Sequence, residues 1–158
     1  MSIFRVLKHR CAWAAGLVAA VTMLGAAAEA QEVKRKPFQK YFFAGCGTGK
    51  TECSGPVYKV PANRRFEVRS VSCGFTVRSP GMVNSVFLAA RPTDPTKQII
   101  DYLVPVQTSD QGGFRGFSFN TQTLLVASAT DRLLMAVNAT EDIFNINCKV
   151  AGDLVFLE

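Results

Sequence analysis

From Tyr41 to the C-terminus the chain alternates short apolar runs with turn residues, and no window sustains a 3.6-residue apolar repeat. The runs read as strands: "KYFFA", "GPVYKV", "RFEVRSVSCGFTV", "MVNSVFLAA", "QIIDYLVPV", "FRGFSFN", "QTLLVA", "RLLMAVNA" and "NINCKVAGDLVFL". "VPANR", "SPG", "RPTDPTK", "TSDQGG" and "SATD" punctuate them with Pro, Gly, Asn and Asp. The pattern predicts an all-β domain, a two-sheet antiparallel β-sandwich of jelly-roll-like form, with about eight to ten strands in roughly 118 residues.

Two irregularities refine this picture. Phe66 and Val68 share one strand face, but the apolar set then continues as Val71, Cys73, Phe75 and Val77. The period of two slips by one residue near Ser70, which predicts a β-bulge or a crossing between sheets there. Pro105 interrupts "QIIDYLVPV", so that strand is expected at an edge or bulged.

The ends are of a different kind. Residues 1–30 carry Arg5, Lys8 and Arg10, then an uncharged run from Cys11 to Ala28, then small residues at Ala28 and Ala30. That order predicts a signal peptide cleaved after Ala30, and hence a periplasmic or secreted chain with no remaining transmembrane span. Residues 31–40, "QEVKRKPFQK", are charged and broken by Pro37, which reads as a flexible basic lead-in. Residues 41–158 are then the single β-sandwich domain. Cleavage leaves 128 residues and lowers the formal charge from +6 to +4, too mild a field for a dedicated nucleic-acid binder. It also removes His9 and Trp13, the only residues of their kinds. Ser-His and Cys-His catalytic pairs and His-ligated metal sites are thereby excluded from the mature chain.

Cys46, Cys53, Cys73 and Cys148 remain, an even number in an exported chain, and they lack the paired short spacings of a thiolate zinc site. Cys73 lies in the first long strand and Cys148 in the last, each in phase with inward apolar neighbours. Early and final strands are neighbours in many sandwiches, so these two are expected to pair, closing a loop of about 76 residues. Cys46 and Cys53 pair by elimination.

The stretch "AGCGTGKTEC", Ala44–Cys53, has the look of a phosphate-binding loop around Gly49-Lys50-Thr51. Such a loop needs a helix immediately after Lys-Thr, so that backbone amides and the helix N-terminus meet the phosphates. Here "ECSGP" follows, and Gly55-Pro56 would break a helix within one turn. The expected structure is a Gly-rich hairpin tip stapled by a disulfide, with no nucleotide bound and no cofactor of any kind.

The other candidates are weaker in chemistry. "GGFRGFSFN" puts Phe117 and Phe119 in strand parity with a core, leaving Phe114 exposed beside Arg115 as a possible ligand contact. Lys34, Arg35, Lys36 and Lys40, with Arg64 and Arg65 in a turn, compose a candidate cationic patch for an anionic cell-envelope polymer or glycan. No two carboxylates sit at i, i+2 on one strand face, and Asp94, Asp101 and Asp110 lack calcium-loop spacing. The leading expectation is a non-enzymatic binding or envelope-associated role. A small carboxylate-dependent hydrolase acting on glycans and a strand-exchanging assembly subunit are the alternatives.

Overall fold

The computed structural model describes residues 33–157. The expected signal peptide and its cleavage site lie outside the described residues. Ten strands form two antiparallel sheets: β1 Arg35–Gly45, β2 Glu52–Lys59, β3 Arg64–Arg78, β4 Val83–Arg91, β5 Ile99–Leu103, β6 Val106–Gln111, β7 Phe114–Gln122, β8 Val126–Ala127, β9 Arg132–Ala139 and β10 Ile143–Phe156. One sheet has the order β1-β10-β3-β7-β6, with β8 also paired to β3, and the other the order β2-β9-β4-β5. The chain crosses between the sheets from β1 to β2, β2 to β3, β3 to β4, β5 to β6, β8 to β9 and β9 to β10, so the sandwich is jelly-roll-like. Pro95–Lys97 form one 3₁₀ turn. Among the described residues no helix is long and apolar enough to cross a membrane.

The core lies between the sheets and follows from period-two patterning. Val71, Cys73, Phe75 and Val77 of β3 point inward, as do Ile146, Cys148 and Val150 of β10 and Leu133, Met135 and Val137 of β9. Phe38, Tyr58 and Phe66 form a triangle of ring contacts at one end, with centroids 4.8, 5.3 and 5.9 Å apart. Phe75 stacks on Phe117 at 5.6 Å.

The slip near Ser70 is a bulge. Ala151 pairs with Ser70 and Gly152 with Val68, leaving Arg69 without an opposite partner. Above it β3 pairs with β7, and below it with β8. Gly152 is required opposite the bulge, because a Cβ there would overlap the Glu67 carbonyl and lie 3.0 Å from Val68 Cα. Pro105 separates two strands rather than lying in one. β5 is an edge of the four-stranded sheet and β6 an edge of the other, so Val104-Pro105 is where the chain changes sheets.

The flexible lead-in expected over 31–40 is corrected from Arg35 onward. Those residues extend β1, which pairs with β10 from Arg35 opposite Val155 to Gly45 opposite Asn145. Arg, Lys and Pro are tolerated because β1 is an edge strand, where they face solvent and discourage further pairing. Composition signalled disorder; the long partner strand overrode it.

Both disulfides form as expected, Cys46–Cys53 and Cys73–Cys148. Cys73 is directly opposite Cys148 in the β3–β10 ladder, with a Cα separation of 4.1 Å. A chain so crosslinked is a β protein of an oxidising, extracellular type of compartment.

Candidate functional site

The phosphate-loop look-alike is a disulfide-stapled arch rather than the expected hairpin tip, because β1 pairs with β10 in one sheet and β2 with β9 in the other. The Cα atoms of Cys46 and Cys53 are 5.6 Å apart, and Gly47 and Gly49 take φ of +77° and +78°, the left-handed region that glycine enters freely. β2 begins at Glu52, in the place of the helix a phosphate cradle needs. The loop's polar groups are spent on the neighbouring β9–β10 turn. Gly49 donates to Asp142 Oδ1 (2.9 Å), Lys50 accepts from Ile143 N (2.8 Å), and Thr51 accepts from Ala139 N (2.9 Å).

Four of the basic residues singled out from sequence, Lys34, Arg35, Arg64 and Arg65, come together at one end of the β1–β10–β3 ladder, while Lys36 and Lys40 lie farther along β1. Arg35 and Arg65 both pair with Glu67, and Arg64 and Lys34 both lie over the Phe156 ring, at 4.5 and 5.4 Å. Arg64 and Arg65 open β3 rather than occupying a turn. Arg115 is also committed. Its Nε donates to Asp110 Oδ2 (2.7 Å) and its Nη1 to the Pro80 carbonyl (2.6 Å), so it clips the Ser79–Gly81 turn to the β6–β7 hairpin. Phe114 is exposed, as expected, and packs edge-on against Phe144 with centroids 4.9 Å apart.

The carboxylates are engaged in the same way. Asp142 holds Arg78, Asp153 holds Arg69, Asp101 accepts from Thr123, and Asp131 accepts from Ser128 N. A cleft of about 750 Å³ beside the bulge has Arg69 and Asp101 in its wall, both already partnered. The hydrogen bond from Arg115 holds the Asp110 carboxyl below its usual range, and that from Thr96 does the same for Asp94. A general acid for glycoside hydrolysis needs the opposite shift.

What the fold does assemble is a polar platform on the outer face of the six-stranded sheet. Ser70, Ser72, Gly74 and Thr76 of β3 alternate with its core residues and so point outward. Asn147 and Lys149 of β10 and Ser118 and Asn120 of β7 flank them. Register aligns Tyr41, Lys149, Ser72 and Asn120 in one row across four strands, about 14 Å long at the usual strand spacing. The adjacent row is Phe43, Asn147, Gly74 and Ser118. Gly74 leaves a shallow trough there, since a Cβ added at it would meet only the Phe117 carbonyl, at 3.9 Å.

Tyr41 is 63 % and Phe43 70 % exposed on β1. Lys149 has no carboxylate partner among the described residues. None of these residues was singled out from the sequence. The signal was present in "KYFFA", where three consecutive aromatics cannot all face one core: Phe42 is buried and its two neighbours point out.

No protein-family model matches the chain, and comparison with curated proteins gives no match.

Proposed function

We propose that the protein is an exported, non-enzymatic binding protein, periplasmic or secreted, that holds an anionic cell-envelope glycan on the outer face of its six-stranded sheet. The row Tyr41–Lys149–Ser72–Asn120 carries this reading. An exposed ring offers a flat apolar surface to the C–H face of a sugar, and hydroxyl and amide side chains donate to and accept from its hydroxyls. A single unpaired ammonium with three donors favours a carboxylate or phosphate substituent over a neutral sugar. The flatness of the face suits an extended polymer better than a small molecule, which needs a concave site.

Calorimetric titration with soluble polysaccharides, matched pairs of neutral and acidic chains, tests this. The acidic member of a pair is expected to bind the wild-type protein more tightly, in a salt-dependent manner. Tyr41→Ala and Lys149→Gln are each expected to weaken it about tenfold, or about 1.4 kcal/mol. Unchanged affinity in both variants would refute the assignment of this face.

A further inference from the structure

The four-stranded sheet carries apolar side chains across the middle of its outer side as well as on its inner one. At one end of that outer face stand Lys59, Arg132 and Arg91, matched in register; at the other stand Glu52, Asn138 and Ser85. Between them lie two uncharged rows, Pro56–Leu134–Ala89–Ile100 and Ser54–Ala136–Phe87–Tyr102. Ala89 and Ala136 are buried yet stand apart from the core cluster. Phe87 and Tyr102 pack edge-on, with centroids 6.0 Å apart, and Tyr102 and Ile100 remain 68 % and 42 % exposed. A sheet with one wet side alternates apolar and polar residues, whereas a sheet apolar on both sides is built to be covered.

We propose that a second copy of this chain covers this face, related by a two-fold axis that lies in the interface plane and runs perpendicular to the strands. This operation keeps each strand over its own counterpart and reverses the order of the rows. Ile100 then meets Tyr102 of the other copy and Pro56 meets Ser54, while Leu134 and Phe87 pack over the positions of the buried Ala136 and Ala89. The same operation brings Lys59 onto Glu52 and sets Arg132 and Arg91 over Asn138 and Ser85. The charge complementarity is specific to this register. A two-fold parallel to the strands would reverse the strand order instead, setting Arg132 over Arg91 of the other copy and taking Lys59 away from Glu52, at a cost that like charges impose.

A face four strands wide and four rows long removes about 400 Å² from each copy, about 800 Å² in total, which is below a standard interface and marks a weak dimer. A dissociation constant on the order of ten to a hundred micromolar is expected. The glycan-binding faces point outward on both sides of such a dimer, and the two readings stand on different sheets, so either can fail alone.

Sedimentation equilibrium of the oxidised protein from about 1 µM to 1 mM tests the proposal. The expected result is a monomer–dimer equilibrium that Ala136→Arg abolishes while circular dichroism and masked thiols stay unchanged. Glu52→Lys and Lys59→Glu are each expected to weaken association about fivefold, since two symmetric pairs are lost, and the double variant to restore it. A monomer throughout the range, a dimer indifferent to Ala136→Arg, or a charge swap without rescue would overturn the proposal. So would a monomer that instead adsorbs through this face to vesicles of anionic phospholipid.

Discussion

Gly152 shows how one missing side chain permits a structural device. The extra residue of the β3 bulge brings the Glu67 carbonyl and Val68 Cα against β10 at a point where only hydrogen fits. Gly152→Ala is therefore expected to cost about 3 kcal/mol in chemical denaturation. Gly45→Ala, where a new Cβ meets nothing within 4 Å, is the control and should stay within about 0.5 kcal/mol. Asp110 supplies a second residue-scale test. Its carboxyl is held below the ordinary 3.8 by the Arg115 hydrogen bond. A depressed folded pKa stabilises the folded state above the unfolded value, and the benefit is lost as pH falls through the folded one. Asp110→Asn should therefore melt below wild type at neutral pH, with the two melting curves converging as the pH falls below the ordinary carboxylate range. A gap that persists in acid would contradict the ion-pair account.

At the scale of elements, the two disulfides constrain very different lengths of chain. Cys73–Cys148 spans a sequence separation of 75 and joins the two longest strands, whereas Cys46–Cys53 spans 7 and staples the arch from β1 to β2. On the chain-entropy model, removing the first by paired Cys→Ala substitution costs about 4–5 kcal/mol, and removing the second about 2–3 kcal/mol. Urea unfolding of the two double variants checks the order, and a costlier loss at the small loop would contradict it. Strands and disulfide partners were legible because they rest on local signals: period-two alternation, turn residues, and cysteines in phase with core residues. β1 was legible only from Tyr41, because Lys36, Pro37 and Lys40 carry the marks of a linker. Those same residues are the ones an edge strand tolerates, and nothing in the local sequence shows that β10 is long enough to hold them.

For the whole molecule, the two outer faces differ in chemistry: one is a ladder of hydroxyls and amides with aromatic rings at its rim, the other two uncharged, mostly apolar rows between a cationic and a polar end. Part of this contrast lay in the sequence. "VFLAA" and "LLMAV" run apolar without alternation, the mark of strands covered on both sides. "RSVSCGFTV", by contrast, alternates cleanly. What remained hidden was the row Tyr41–Lys149–Ser72–Asn120, whose members are brought together by strand order across more than a hundred residues. The same strand order gathers four of the basic residues, Lys34, Arg35, Arg64 and Arg65, around Glu67 and Phe156.

The most direct measurement is a map of backbone amide chemical shifts during titration of the oxidised protein with a short acidic oligosaccharide. The shifts are expected to concentrate at Tyr41, Phe43, Ser72, Asn120, Asn147 and Lys149 and to saturate together. Shifts confined to the four-stranded sheet or to the Cys46–Cys53 tip would contradict the account.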